Sequence, residues 1–359
     1  MLYNIITSFG TDNSISDFHI QEGAPVRFRR SGSLEFAEDR TVSTRADILN
    51  LFERNEAHTG IKAKELLDKM LPSGDLDAAL KLGARRFRAN VFMSNGRKLG
   101  LVLRQFPDSI PALDSLKLPD AYYEMVRATR GLVLVTGATG SGKSTTLAAT
   151  LEHCNSTVDG HIITIEDPVE YLLPSRRCAV DQRQVGRDVS NFESGLRSAL
   201  RQDPDILLVG ELRDPETVKT ALDAANTGHL VFGTLHTNSA QQSIDRLSSF
   251  FPPERQAWVQ GTLSQVLLGI MSQVLVPRKD GKGRALGVEL LVNTTDVRQL
   301  IREGRNHQLF NAMDTGSSRG HQLLNRHLVK LVKDGSITAE DAALATYDVP
   351  ALRKELARV

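Results

Sequence analysis

One stretch constrains the fold of this 359-residue chain more than any other: Gly131 to Thr145, which reads GLVLVTGATGSGKST. It consists of a short apolar run, a glycine-rich loop and a run of helix-tolerant residues. The loop fits the pattern G-x-x-x-x-G-K-[ST] through Gly137, Gly142, Lys143 and Ser144, between the predicted strand and helix that this pattern requires. In a chain of this length the pattern arises by chance about once in a hundred. The stretch therefore predicts a nucleoside triphosphate site.

Each residue type in the loop has a physical role in binding phosphate. Glycines let successive backbone N–H groups turn toward phosphate oxygens, and the N-terminus of the following helix favours negative charge. Lys143 is expected to reach the β- and γ-phosphates, and the Ser144 hydroxyl to be a ligand of Mg²⁺. The predicted nucleotide-binding residues are Gly137, Ala138, Thr139, Gly140, Ser141, Gly142, Lys143, Ser144 and Thr145.

Composition limits the class of protein. The chain is 40% hydrophobic and 24% charged, which is ordinary for a globular protein, and its length suits two domains. A net charge of +1 gives no sign of a nucleic-acid partner. The two cysteines lack zinc-ligand spacing, which is typical of reduced thiols in the cytoplasm. Since no apolar stretch approaches about 18 residues, we expect no transmembrane segment.

The residues before the loop predict a separate α+β domain, 1–107. Residues 86–93 and 98–106 are typical of two strands joined by a tight turn. Prolines punctuate the next stretch, where we place a linker, 108–119. The second domain then covers 120–359.

Two arginines, Arg88 and Arg104, lie within the predicted strand pair. They fit a solvated strand face or a local ion pair. They also fit a contact with a nucleotide phosphate, because phosphoryl transfer builds negative charge that an arginine from outside the loop can stabilise. The residues themselves leave both interpretations open.

After the loop, strand-like runs alternate with helical segments, which predicts a doubly wound α/β sheet. Polar residues follow three of these runs: Glu166 and Glu170 after the first, Glu211 after the second and His236 after the third, which His229 precedes. Each could be a helix cap or a structural histidine. Ligands of such sheets bind beyond the carboxyl ends of the strands, however, and hydrolysis needs a carboxylate that acts on water. We therefore single out Glu170 and Glu211 as the catalytic acids.

The chain after Leu247 predicts helices. Residues 264–275 are apolar enough to be buried, and 279–284 (KDGKGR) are typical of an exposed turn. Near the C-terminus, Thr338 and Asp341 fit the cap of a helix.

Four further stretches carry recognisable patterns. They are SDFHI at 16–20 with Gly23, Pro25, Arg29 and Gly32, ITIEDPVEY at 163–171, LRQDPDILLVGELRD at 200–214, and TGHLVFGTLHT at 227–237. Taken together and in this order, they resemble the secretion (traffic) ATPase family and, within it, the PilT-type retraction ATPases of type IV pili. The first is similar to the signature of that family's N-terminal PAS-like domain, and the others to its Asp box, Walker B motif and His box.

The resemblance implies a ring-shaped homo-hexamer in which ATP lies between a PAS-like domain and a RecA-like P-loop domain. It implies that Glu170 acts on the attacking water and that Glu211 helps to hold Mg²⁺. It further implies that His229 and His236 sense the state of the nucleotide. The arginines of the first domain match family arginines that reach phosphate.

The same resemblance implies a cytoplasmic motor at the inner face of the cytoplasmic membrane, bound to an inner-membrane platform protein and driving pilus retraction. Extension-type and type II secretion members carry a tetracysteine zinc module, which two cysteines exclude. The segment DVRQLIRE at 296–303 is similar to the AIRNLIRE segment of retraction members, with departures at Asp296, Val297 and Gln299.

Two alternatives stay open at the level of sequence. The first is an ATPase of the same class that energises secretion or conjugation, which differs in partners rather than in chemistry. The second is a RecA-like ATPase that binds nucleic acid, against which the near-zero net charge argues.

Overall fold

The structure is a computed structural model that divides into two compact units. It describes residues 1–9, 12, 14–30, 33–37, 42–59, 61–70 and 74–358, so Gly32 of the N-terminal signature lies outside the described residues. The first unit consists of Met1–Ser109 and Pro168–Leu172, and the second of Ile110–Asp167 and Leu173–Val359. The predicted linker residues 110–119 therefore belong to the second unit, in whose core Leu113 and Leu118 are buried.

The first unit is built on an antiparallel sheet. Its strands are β1 (Ile15–Gln21), β2 (Arg27–Arg30), β3 (Ser33–Phe36), β4 (Asp75–Leu82), β5 (Arg85–Ser94) and β6 (Lys98–Gln105). Among the described residues they run in the order β3-β2-β1-β6-β5-β4. The helices of this unit are α1 (Leu2–Ser8), α2 (Arg45–Glu53), α3 (Glu56–Thr59) and α4 (Leu66–Lys69).

One face of this sheet forms the core of the first unit. Phe18 and Ile20 of β1 are buried in it together with Leu101 of β6, because residues two apart in a strand point to the same face. The predicted strand pair is confirmed as β5 and β6, and the unit is α+β as expected. Its designation as PAS-like stays a prediction.

The second unit is built on a mostly parallel sheet. Its strands are β7 (Gly131–Thr136), β8 (Gly160–Glu166), β9 (Cys178–Gln184), β10 (Ile206–Val209), β11 (Leu230–Leu235), β12 (Leu267–Pro277) and β13 (Arg284–Val292). In the described part of the chain their order is β13-β12-β7-β11-β10-β8-β9, and the pair β12–β13 is antiparallel. The loops after β7, β8, β10 and β11 therefore leave from one edge of the sheet, which we call the carboxyl edge; the opposite one is the amino edge.

Helices cover both faces of this sheet. They are α5 (Asp120–Val126), α6 (Lys143–Thr157), α7 (Phe192–Ala199), α8 (Pro215–Asn226), α9 (Ala240–Ser249), α10 (Pro253–Val266), α11 (Thr295–Arg302), α12 (Leu309–Thr315), α13 (Leu324–Lys333), α14 (Ala339–Ala345) and α15 (Val349–Leu356). In β7, Leu132 and Leu134 enter one core while Val133 and Val135 enter the other. Burial on both faces explains the continuous apolar run of this strand, and the predicted α/β class is confirmed.

The prediction of helices throughout the region after Leu247 is wrong for two segments. Residues Leu267–Pro277 form β12, which pairs with β7, and Arg284–Val292 form β13. A strand buried on both faces has no apolar alternation, so periodicity does not distinguish it from a buried helix. The charged segment between the two strands is exposed, as expected of a turn.

The predicted helix cap near the C-terminus is confirmed. Thr338 caps α14 by accepting the backbone N–H of Asp341 at 3.0 Å. Both cysteines, Cys154 and Cys178, are free and buried. Among the helices that the structure describes, none has the length and apolar character needed to cross a membrane.

Candidate nucleotide site

The glycine-rich loop connects the carboxyl end of β7 to the N-terminus of α6. Gly142 precedes the helix with a φ of +92°, in the left-handed region where glycine is favoured. Lys143 folds back over the loop, and its Nζ donates to the carbonyl oxygens of Gly137 at 2.7 Å and Ala138 at 3.1 Å. Helix α6 is 15 residues long, so its N-terminus carries a positive dipole end. Glycine, lysine and helix dipole are the features that an anion site at a helix N-terminus requires, and the binding of phosphate by this loop stays a prediction.

Gly137 shows how closely the loop approaches the neighbouring strand β12. A Cβ added to this residue would lie 2.4 Å from the main-chain oxygen of Gln273, so no larger residue fits without movement. Directly before it, the hydroxyl of Thr136 hydrogen-bonds that of Ser272 at 2.8 Å, and both side chains are buried. Sequence reasoning missed Ser272 and Gln273, because they lie in the segment that was predicted to be helical.

An acid with two basic neighbours follows β10 at the carboxyl edge. The Glu211 carboxylate lies 2.7 Å from the Arg213 guanidinium and 3.3 Å from Nε2 of His236. Partial burial disfavours its charge, but the hydrogen bonds and positive charges of these neighbours outweigh burial and hold the pKa of Glu211 below its usual range. Glu211 is therefore an ionised carboxylate at neutral pH. The structure brings Glu211 and His236 together, because the strands that they follow, β10 and β11, are neighbours.

Glu166 ends β8 at the same edge. Its Oε1 accepts hydrogen bonds from Thr164 Oγ1 at 2.6 Å and from Gln182 Nε2 at 3.1 Å. These two donors fix the orientation of the carboxylate. Glu166 is thus a second acid at the carboxyl edge, with its carboxylate oriented by a hydroxyl and an amide.

The oxygen atoms at this edge suit Mg²⁺. Ser144 is exposed in the first turn of α6, and Glu211 follows β10. Strands β7 and β10 are separated by β11, so their ends lie about 10 Å apart. A hydroxyl and a carboxylate are hard oxygen ligands of the kind that Mg²⁺ prefers, and Mg²⁺ commonly retains water for the remaining positions. The residues present therefore fit the ion.

His229 lies at the amino edge instead. It precedes β11, and its carbonyl accepts the N–H of Gly131, the first residue of β7. The six residues of β7 therefore separate it from the loop by about 20 Å along the sheet. Its Nδ1 lies 2.9 Å from the carbonyl oxygen of Ala224 at the end of α8. Within this chain His229 is not brought to the edge that carries His236.

Glu170 belongs to the first unit, because residues Pro168–Leu172 group with it. The carbonyl oxygens of Val169 and Glu170 accept hydrogen bonds from Arg86, at 2.7 and 3.2 Å. Val169 is buried, whereas Glu170 is only partly so. The backbone of this segment is thus fixed on β5, and the Glu170 side chain keeps some access to solvent.

Arg88 and Arg104 face each other across β5 and β6. Arg104 Nε donates to Asp17 at 2.8 Å, and Arg88 Nη2 to Asp77 at 3.3 Å. The local ion pairs that the sequence allowed are therefore present. The side chain of Arg104 is 68% exposed and that of Arg88 is 48% exposed, so neither ion pair prevents its arginine from binding a further anion. The pair of Arg88 with the exposed Asp77 contributes at most about 1 kcal/mol.

Three comparisons with known proteins agree with this geometry. The family model of the type II/IV secretion system proteins matches residues 2–344. The chain is 42% identical over 344 residues to the type IV pilus retractation ATPase PilT of Pseudomonas aeruginosa, covering 94% of this chain and 96% of that protein. It is 44% identical over 257 residues to a twitching motility protein of Neisseria gonorrhoeae, covering 72% and 68%. The crystal structure of the pilus retraction motor PilT with bound ADP has a TM-score of 0.85 and 42% identity, covering 100% of this chain and 99% of that one.

Proposed function

The chain belongs to the family of type II/IV secretion system proteins, and on that premise we propose that it is an ATPase that drives retraction of a type IV pilus. The single observation that carries this proposal is the likeness to a retraction motor over nearly the full length of both chains. The geometry of the carboxyl edge supports ATP hydrolysis, because the glycine-rich loop, an ionised acid and a histidine all lie at this edge of the sheet.

ATP is the proposed ligand of the loop 137–145. The ammonium of Lys143, which donates to two loop carbonyls here, would donate to the β- and γ-phosphates when ATP binds. Ser144 and Glu211 are the proposed ligands of Mg²⁺, either directly or through water. When bound, the ion would neutralise charge on the phosphate oxygens.

Glu170 is the proposed base that orients or deprotonates the attacking water, and Glu166 a second acid of the site. His236 is suited to report the state of the nucleotide, because it contacts the proposed metal ligand Glu211. The same role for His229 rests on the resemblance alone. Arg88 and Arg104 are proposed to contact phosphate, with exposed guanidinium groups that can bind an anion.

The assembly and its location are parts of the same proposal. We infer a homo-hexamer in the cytoplasm, held at the inner face of the cytoplasmic membrane by a platform protein of the pilus. Support for the assembly comes from the likeness to the retraction motor. Segment 296–303, which resembles the retraction segment of the family, supports retraction; it forms most of α11, with Val297 and Ile301 buried. The departure at Val297 therefore preserves an apolar core residue.

Deletion of the gene, followed by counting of surface pili, tests this function. Retraction predicts cells with excess pili and no twitching, rescued by the parent gene but not by the variant Lys143→Ala. Loss of surface pili would contradict retraction. Loss of protein export with normal pili would instead favour the second candidate, an ATPase that energises secretion or conjugation, which the family description also covers.

A further inference from the structure

Gln273 lies beside the phosphate loop without belonging to any motif of the chain. It is 4% exposed and follows Ser272, which pairs with Thr136 at the end of β7. Strand β12 extends past the end of β7, so Gln273 lies level with the start of the loop. A buried polar side chain at this position requires a physical reason.

The side-chain amide of Gln273 contacts both the loop and the first turn of α6. Its Nε2 donates to the carbonyl oxygen of Ser141 at 3.0 Å and to Thr146 Oγ1 at 3.2 Å. The same nitrogen would lie 3.3 Å from a Cβ on Gly142. One amide therefore ties the last residues of the loop and the first turn of α6 to the strand beside them.

The remaining polar atom of this amide has no evident structural use. In the part of the chain that the structure describes, Gln273 Oε1 is buried and has no hydrogen-bond partner. Rotating the amide by 180° would place this oxygen against the Ser141 carbonyl, which repels it. A buried acceptor without a donor costs free energy, so an apolar side chain would serve core packing better. The donor function toward the loop is what distinguishes glutamine here.

We propose that Gln273 is a positioning residue of the nucleotide site, an inference that rests on the proposed role of loop 137–145. The Ser141 carbonyl and the Gly142 N–H belong to one planar trans peptide and point in opposite directions. By holding the carbonyl toward β12, Gln273 directs the Gly142 N–H away from the sheet, where it can meet a phosphate oxygen. The contact organises the loop before the nucleotide arrives and thereby raises affinity.

The test compares purified full-length variants by steady-state hydrolysis and by binding of a fluorescent ADP analogue with Mg²⁺. Gln273→Met keeps the length and flexibility of the side chain but removes the donor. We expect KM for ATP and Kd for the analogue to rise about tenfold, with kcat within about threefold, because the loop binds ground state and transition state alike.

The matched control is Gln322→Met. Gln322 also donates a side-chain hydrogen bond to a carbonyl oxygen, that of Val288 at 3.0 Å, but it contacts β13 rather than the loop. Its KM should stay within twofold of the parent. A tenfold rise in the control as well would show a general folding effect and overturn the assignment of Gln273.

Two further variants separate the possible failures. If Lys143→Ala abolishes analogue binding while Gln273→Met binds like the parent, the positioning role is wrong and the loop assignment stands. If Lys143→Ala still binds normally, the loop assignment fails, and the inference with it. Should Gln273→Met not fold by circular dichroism, Thr146→Val removes the second partner of the amide; a KM raised about threefold supports the proposal, and an unchanged KM overturns it.

Discussion

The two edges of the seven-stranded sheet differ in what their ionisable side chains contact. At the carboxyl edge, Lys143 begins α6 and folds back over the glycine-rich loop, and Glu211 contacts the ionisable side chains of Arg213 and His236. At the amino edge, Nδ1 of both His161 and His229 lies close to a main-chain carbonyl oxygen, and Nε2 of His161 also contacts the Asp181 carboxylate. Which edge a histidine reaches depends on whether it precedes or follows its strand. We propose that His236 serves the nucleotide site, whereas the contacts of His161 and His229 within this chain are with local structure.

This difference has an electrostatic side. Nε2 of His161 lies 2.9 Å from the Asp181 carboxylate, and Nδ1 lies 2.9 Å from the carbonyl oxygen of Gln202. Burial disfavours the charged ring, but these hydrogen bonds outweigh burial and raise the pKa of His161. An imidazolium held in this way stabilises the fold. Glu211 at the other edge is held ionised by side chains that a bound nucleotide or ion can rearrange.

The largest expected effect is at Lys143. Lys143→Ala removes the ammonium that would neutralise the β- and γ-phosphates, so kcat/KM for ATP should fall by at least about a hundredfold. The melting temperature should change little, because this side chain binds loop carbonyls at the surface. A steady-state assay with the parent protein as control measures this change. If hydrolysis stayed within threefold of the parent, the carboxyl edge would not be the site of ATP hydrolysis.

The matched pair His236→Ala and His229→Ala tests the comparison itself. The first variant removes a contact of Glu211, so we expect kcat to fall about tenfold. The second removes a hydrogen bond to Ala224, so we expect a loss of about 1 kcal/mol in the free energy of unfolding and a smaller change in kcat. Hydrolysis assays and denaturant titrations of both variants measure these effects. Equal losses of kcat in the two variants would mean that the amino edge also takes part in hydrolysis. It would then do so through a contact with a second copy of the chain.

The smallest expected effect concerns pH at the amino edge. Since the pKa of His161 is raised in the folded state, its contribution to stability is fully present below the unfolded value of 6.5 and is lost as the pH rises through the folded-state pKa. The melting temperature should fall as the pH rises from 6 to 9, and His161→Gln should make this fall smaller by about 2 °C. Asp181→Asn should flatten it similarly, because it removes the paired charge. An unchanged slope in both variants would refute this origin of the pH dependence.

The parts of the molecule that follow local rules were predictable from the sequence. The strand before Gly137 and the helix after Ser144 were placed correctly, because glycine, apolar run and helix start coincide there. The location of Glu211 and His236 at one edge also followed, since both residues come after strands of one parallel sheet, whereas their contact is seen only in the structure. In each case the signal is local: an apolar run and the residues that directly follow it.

The parts that depend on distant packing were not predictable. The strand Leu267–Pro277 was taken for helix because a strand buried on both faces shows no alternation, and Gln273 was missed with it. A single glutamine within an apolar run matches no sequence motif. Its contact with Ser141 joins residues 132 positions apart, a relation that a one-dimensional reading does not contain.

The most direct test of the difference between the edges is hydrogen–deuterium exchange with and without saturating ADP and Mg²⁺. Bound nucleotide should slow exchange of backbone amides in residues 137–145, whose N–H groups we propose to face phosphate. Peptides around His161 and the start of β11 should change less. Protection at those amino-edge peptides with none at 137–145 would contradict the assignment of the carboxyl edge as the nucleotide site.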